Sequence, residues 1–423
     1  MALKQISTQT ELASHLGITK NQLSVMLSKK YSPIKSNVLK LCEVFEVLPS
    51  VIFETETEYV HLMDGDFSEI SAMPMSEIKT IELFAGAGGL ALGMEYAGLE
   101  SVALVEIDKN ACDSLRHNRP DWNVVNEDVR NIDFTQYQAD VIVGGFPCQA
   151  FSYAGKKMGF EDTRGTLFFE FARAVKEIEP KMFLAENVRG IINHDNGRTL
   201  STILSVLSEL GYDVKYKLVN AVNYGVPQKR ERVLIVGTRS DLKLTFHFPR
   251  EYRRIVTLRE ALKNVPQSEG MKYSEKRREI LKLVPPGGCW RNLPMELQKS
   301  FMGKSYYSGG GRTGMARRMS WDEPSLTLTT SPSQKQTERC HPEETRPFTV
   351  REYARIQTFP DWWEFKGSVG EQYKQIGNAV PVKLAYRVGQ QIIACLNAKE
   401  ILDINSVLDV EVTDSAVQLV MNI

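Results

Sequence analysis

The sequence predicts an α/β protein built on a mostly parallel, doubly wound sheet, with a separate all-α unit in front and a smaller irregular domain behind. Three observations predict it. From Ile78 to Thr238 short β-rich runs alternate with amphipathic segments, the pattern of strands joined through helices on both faces. The first run ends in the glycine-rich turn Phe84-Ala85-Gly86-Ala87-Gly88-Gly89. From 239 to 346 the rhythm gives way to Gly, Pro, Ser and Arg, including Ser308-Gly309-Gly310-Gly311-Arg312.

In chain order, residues 1–75 form their own unit. Thr10–Leu16 puts Leu12 and Leu16 one turn apart, and Gly17 supplies a break. A second helix starts on Thr19 as N-cap and runs to about Ser28, with Leu23, Met26 and Leu27 at the spacing of a buried stripe. Two short helices across a tight turn make a helix-turn-helix, which resembles the repressor-type family of that motif. Five lysines and no acid between Lys20 and Lys40 suit a surface facing phosphates. Residues 54–74 are acidic and irregular, and read as a linker.

The strand candidates are Ile78–Phe84, Val102–Ile107, Val141–Gly144, Met182–Leu184 and Val233–Gly237. Residues 239–346 form the second, irregular domain. Thr349–Gln357 then reads as a helix, and Gly377-Asn378-Ala379-Val380-Pro381 opens a final one, with proline near its first turn. The boundaries are therefore 1–75, 76–238, 239–346 and 347–423.

At 423 residues, two or three domains are expected. Hydrophobic and charged contents of 42% and 25% are those of a soluble globular protein. No run of 18 apolar residues occurs and the N-terminus lacks the apolar core of a signal peptide, so a cytoplasmic protein without membrane contact is expected. The six cysteines are scattered without a Cys-x-x-Cys, which argues against a disulfide framework and a zinc site; no metal is expected. Net charge is zero, yet 239–346 carries 21 Lys and Arg against 12 Asp and Glu, an excess of nine that marks a polyanion-binding candidate.

Two strand ends carry reactive side chains. Phe146-Pro147-Cys148-Gln149 follows the run Val141–Gly145, and Glu186-Asn187-Val188 follows Met182–Leu184. A thiol and a carboxylate thus sit at the carboxyl ends of two buried strands, where α/β proteins bind ligands. A lone thiol there is ordinarily an inert core cysteine; its company decides otherwise. The glycine turn lets the backbone approach a nucleotide-like ligand, Glu106 ends the next strand where it can accept ribose hydroxyls, and Asp128 adds a third contact. No cation accompanies the loop, so an adenosine ligand without phosphates fits better than a dinucleotide.

These residues belong to an ordered set. FAGAGG at 84–89, PCQAFS at 147–152, GFEDTRGTLFFE at 159–170, ENV at 186–188, QKRER at 228–232, RPFTVREYARIQTFPD at 346–361 and GNAV at 377–380 make the chain resemble the C5-cytosine DNA methyltransferases from Lys79 to Lys399, apart from the middle of the basic region. The resemblance implies a Rossmann-like domain using S-adenosyl-L-methionine and releasing S-adenosyl-L-homocysteine. It puts Phe84, Gly86, Gly88 and Gly89 around the methionine part, Glu106 on the ribose and Asp128 on the adenine amine, with Pro147, Asn378 and Val380 completing the pocket. Ile107 stands where the family often has an aromatic residue, so it packs on adenine without stacking.

For catalysis the resemblance implies that the Cys148 thiolate attacks C6 of cytosine, making C5 nucleophilic toward the methyl group. Glu186, protonated or sharing a proton, neutralises charge at N3, and Arg232, with Arg230, donates to O2 and the adjacent phosphate. The target base must be flipped out of the duplex, and Ala150–Arg164 is expected to close over it with Ser152 and Arg164 on the backbone. The basic 239–346 region is expected to read sequence in the major groove, with Gln228, Arg312, Arg317 and Arg318 as DNA contacts. The expected function is the modification half of a restriction-modification system, protecting DNA from a partner endonuclease. The catalytic unit is expected to be monomeric and the N-terminal domain to dimerise on an operator, repressing transcription. Two other readings stay open, a tRNA cytosine-5 methyltransferase and a catalytically idle DNA-binding regulator.

Overall fold

Seven strands form one sheet in the order Val124–Asn126, Glu100–Glu106, Lys79–Leu83, Val141–Gly144, Met182–Val188, Glu231–Arg239, Tyr212–Asn220, and all but Glu231–Arg239 run the same way. The computed structural model describes Ala13 and residues 76–147, 167–252, 254–307 and 313–407, with side chains as far as residue 397. The helix-turn-helix, the acidic linker and the 150–164 loop expected from sequence lie outside the described residues. Those from 76 to 393 fall in one compact unit, His61–Ile393.

The chain enters at the sheet centre with β1 (Lys79–Leu83), crosses through α1 (Gly89–Ala97) to β2 (Glu100–Glu106), and through α2 (Lys109–Asn118) to β3 (Val124–Asn126). It then returns to the other side of β1 with β4 (Val141–Gly144), α3 (Leu167–Ile178), β5 (Met182–Val188) and α4 (Arg198–Glu209). The antiparallel pair β6 (Tyr212–Asn220) and β8 (Glu231–Arg239) completes the sheet. The winding reverses between β1 and β4, the place where open α/β sheets hold ligands at their carboxyl edge.

Sequence chemistry explains the elements. Val141–Gly144 is buried throughout, as expected of a strand covered on both faces. Asp108 caps α2 by accepting from the Asn110 and Ala111 amides. On one face of the sheet, Phe168 and Phe171 of α3 meet Phe146, and Phe171 meets Phe183 of β5, with ring centroids 5.4 to 6.0 Å apart. That aromatic stack fixes Phe146 two residues before Cys148.

The short pair β7 (Gln228–Lys229) and β9 (Ser325–Leu326) is parallel. A second apolar cluster gathers Leu281, Val284, Trp290, Leu293, Phe301 and Met315 around α5 (Glu275–Lys282) and α6 (Met295–Met302). Three further helices follow: α7 (Val350–Ile356), opened by a Thr349–Glu352 capping box, α8 (Val369–Asn378) and α9 (Val382–Val407). The expectation that Gly377–Pro381 opens the final helix needs adjustment. Gly377 and Asn378 finish α8, and only Pro381 abuts α9, so the segment is the junction between two helices. No helix among the described residues is long and apolar enough to cross a membrane.

Candidate active site

The carboxyl ends of β1, β2, β4 and β5 deliver the glycine turn, Glu106, Phe146-Pro147 and Glu186 to one edge of the sheet. In the turn after β1, Phe84 takes a left-handed conformation (φ 59°), uncommon for a side chain of that size, and Gly86 follows at φ 54°. A Cβ placed on Gly86 would meet nothing within 4 Å, so the backbone there faces open space. Gly88 and Gly89 differ from expectation. A Cβ on Gly88 would lie 2.6 Å from Leu115 and 3.1 Å from Trp363, and one on Gly89 would lie 2.2 Å from the Val380 carbonyl. These two glycines let α1 pack against its neighbours, and only Gly86 of the three offers a bare cradle.

Glu106 is held in place by the chain itself. Its Oε2 accepts from the Gly86 amide at 2.7 Å and its Oε1 from the Asp108 amide at 2.8 Å, which leaves lone pairs on both oxygens for hydroxyl donors. Beside it Ile107 is 66% exposed, an apolar side chain presented at a strand end where a flat apolar group can cover it. Lys374 of α8 pairs with Asp108 at 2.8 Å and ties that rim to α8. Asp128 is half-buried, and the Arg130 guanidinium on its carboxylate (Nε to Oδ1 2.9 Å) holds the carboxyl down at about 2. It is therefore an acceptor throughout the neutral range. Asn378 is exposed on the rim and Val380 is buried behind it.

A bare glycine cradle at Gly86, an anchored carboxylate at Glu106, an exposed apolar wall at Ile107 and a second acceptor at Asp128 form a set that fits S-adenosylmethionine.

On the chemistry side, Glu186 of β5 and Arg232 of β8 pair at 2.6 Å (Oε1 to Nε), each side chain little more than a tenth exposed. The pairing follows from register, since β8 runs antiparallel to β5 with Val188 opposite Arg232. The resemblance put Glu186 on N3 and Arg232 on O2 of the base; the structure sets the two side chains on each other. The Asn187 side chain donates to the Phe146 carbonyl at 3.0 Å, and a Cβ on Gly145 would stand 3.1 Å from Glu186 Oε2, so the β4 end is laced to the carboxylate. Pro147 is exposed there. Cys148, the next residue, lies outside the described residues with Ser152, Arg164 and Arg312.

Three expected contacts lie elsewhere. Arg230, expected beside Arg232 on the base, is 1% exposed and donates to the carbonyls of Leu328, Gly377 and Ala379. Burial, then the like charge of Arg232, pushes its guanidinium down to about 9, still cationic at neutral pH. Gln228, expected on DNA, is fully buried, donating to Gln357 and accepting from the Leu328 amide. Arg318 is 3% exposed, its guanidinium held by the carbonyls of Leu281, Val284, His341, Glu343 and Glu344 and by the Thr345 hydroxyl. A buried hydrogen bond to a charged group contributes roughly 1.5–3 kcal/mol. A bidentate base contact is worth roughly 1–3 kcal/mol in total. Arg318 therefore stays inside as the hub of its region. Arg317, by contrast, is partly exposed.

Sequence reasoning passed over two buried polar residues. Glu82, in the middle of β1 and 3% exposed, has its carboxyl pushed well above the usual range by burial and then by Glu106. The signal was a charge inside an apolar run. Gln357 is fully buried at the end of α7, inside the matched 346–361 segment but without obvious chemistry of its own.

Residues 78–394 match the family model for C-5 cytosine-specific DNA methylases, and residues 1–58 match that for the Cro/C1-type helix-turn-helix DNA-binding domain. The chain is 52% identical over 416 residues to the type II methyltransferase M.Sau96I of Staphylococcus aureus, covering 94% of this chain and 97% of the relative. It is 62% identical to M.Eco47II of Escherichia coli over 75% of this chain and 79% of that one. Among solved structures, a prophage-encoded DNA modification methyltransferase of E. coli is similar with a TM-score of 0.57 and 27% identity, over 76% of this chain and all of that one.

Proposed function

The chain belongs to the C-5 cytosine-specific DNA methylase family, and from that premise we propose how its residues divide the work of a DNA (cytosine-5-)-methyltransferase dependent on S-adenosylmethionine. Phe84 and Gly86 border the methionine part of the donor, Glu106 accepts from the ribose and Asp128 from the adenine amine, while Ile107 covers the adenine face. Pro147, Asn378 and Val380 close the pocket. When bound, the sulfonium supplies an electrophilic methyl group.

The Cys148 thiolate adds to C6 of a flipped-out cytosine. Glu186, protonated when the base enters, gives its proton to N3 as charge develops, and Arg232 pairs with the carboxylate left behind and donates to O2. After the methyl group reaches C5, N3 returns its proton to Glu186, water takes the C5 proton, and the thiolate leaves C6 as the ring double bond is restored. The observation that carries this reading is the Glu186–Arg232 pair, laced to the strand end that leads into Cys148.

The relatives named as type II methyltransferases support a role in restriction-modification, in which a cytoplasmic modification enzyme shields one duplex sequence from a partner endonuclease. Bisulfite sequencing of DNA from cells expressing the chain tests the reading. One recurring sequence context should carry 5-methylcytosine. Methylation of tRNA with none on duplex DNA, or no methylation at all, would overturn it.

We assign a separate task to residues 1–75, operator binding by a dimer that represses transcription of the chain's own gene. Deleting them should leave methyl transfer largely intact and abolish a footprint on DNA upstream of the gene. A folded truncation that loses methylation, or a full-length chain that gives no footprint, contradicts it.

A further inference from the structure

We propose that Gln357 is a positioning residue for the methyl-donor pocket, acting through the junction that carries Asn378 and Val380. Its side-chain amide donates to the carbonyls of Ile376 (2.9 Å) and Ala379 (2.8 Å), which bracket Asn378, while its oxygen accepts from Gln228 at 2.6 Å. Arg230 grips the same junction from the other side, donating to the Gly377 and Ala379 carbonyls at 3.0 Å each. The Ala379 carbonyl thus receives two side-chain donors, both from fully buried residues.

The next residue completes the hold. Thr358 adopts φ 63°, costly for a β-branched side chain, and its hydroxyl donates to the Gln357 carbonyl and accepts from the Lys383 amide in the first turn of α9. The Val382 amide also donates to the Gln357 carbonyl. The end of α8 and the start of α9 are therefore both pinned to residues 357–358. Between them, the Val380 carbonyl stands where a Cβ on Gly89 would be, 2.2 Å away, so any slip of the junction pushes directly on the helix that opens from the glycine cradle.

Burying large polar side chains is costly unless they find partners, and here Gln357 and Arg230 donate to carbonyls left over where α8 ends, while Arg230 also reaches the Leu328 carbonyl and Gln228 donates to Gln357. The arrangement also joins the pocket to the chemistry, because Gln228 and Arg230 lie within four residues of Arg232 on the same stretch of chain.

This inference rests on the reading that Asn378 and Val380 border the donor pocket. The test compares Gln357→Met and Asn378→Ala in the full chain, measuring calorimetric Kd for S-adenosylhomocysteine, cofactor-free affinity for duplex DNA, and thermal melting. Loss of the outer partner that orients a metal ligand costs about tenfold or more in affinity, and a loss of that order is expected where the outer partner orients a pocket loop. Gln357→Met should raise the Kd by about that factor and leave DNA affinity within about twofold. A role confined to stability predicts a lower melting temperature with an unchanged Kd, and that result overturns the proposal. If Asn378→Ala also leaves the Kd unchanged, the pocket reading itself fails; if Asn378→Ala weakens binding and Gln357→Met does not, only the positioning role fails. Should Gln357→Met not fold, Gln228→Met frees the Gln357 amide to turn and should raise the Kd severalfold, and an unchanged Kd in that variant is equally decisive against it.

Discussion

Cys148→Ser should abolish methyl transfer, with a loss of turnover of about 10⁴-fold or more, because removing the nucleophile removes the route and not merely a contact. Cytosine C5 gains enough electron density to accept a methyl group only after a thiolate has bonded to C6, and a serine hydroxyl, ionised far less readily, cannot substitute near neutral pH. DNA carrying 5-fluorocytosine at the target makes the step visible. Fluorine cannot leave as the proton does, so the wild-type chain should accumulate as a covalent complex stable to denaturant, and the serine variant should not. Binding of S-adenosylhomocysteine should be retained by the variant. A trapped complex that still forms with Cys148→Ser would remove Cys148 from the nucleophile's role.

The strand ends on either side of that cysteine were legible from sequence because the features that mark them are local. A strand buried on both faces reads as a continuous apolar run, so β1, β4 and β5 stand out, and their carboxyl ends carry the glycine turn, Phe146-Pro147 and the Glu186 carboxylate whatever their neighbours do. β6 and β3 were harder to see. Tyr212–Asn220 is an edge strand with Asp213, Lys215 and Lys217 spaced along it, and Val124–Asn126 is too short to show a period.

Roles that depend on distant backbone were not legible. An arginine in a basic stretch looks the same on paper whether it faces phosphate or a ring of carbonyls, and the partners of Arg318 come from residues 281 to 345, gathered only by folding. Gln228 and Arg230 misled for the same reason. Their spacing with Arg232 suggested one shared surface, whereas the structure turns the first two inward toward residues 328–379 and leaves Arg232 alone on Glu186. The glycine turn mixed both cases, since sequence marks all its glycines alike while only the structure separates the open cradle at Gly86 from the packed contacts at Gly88 and Gly89.

Glu186→Gln should lower kcat by about 10²- to 10⁴-fold, the range for loss of a positioned acid, while leaving the Kd for S-adenosylhomocysteine within about twofold. The substitution keeps shape, and the amide oxygen can still accept from Arg232, so the β5–β8 edge should hold. What disappears is a group that can give a proton to N3 and, once it has given it, balance Arg232 2.6 Å away. The interaction matters most when negative charge appears on the ring, so its loss falls on turnover and not on ground-state binding. Arg232→Met provides the companion measurement. If the arginine acts by orienting the carboxylate, the double variant should be little worse than Glu186→Gln alone, because the two residues work as a unit. Multiplying losses would assign Arg232 a separate contact with the base or phosphate. An equal fall in kcat and in cofactor affinity for Glu186→Gln would instead make the pair a structural clasp between β5 and β8, and the general acid would have to be sought elsewhere.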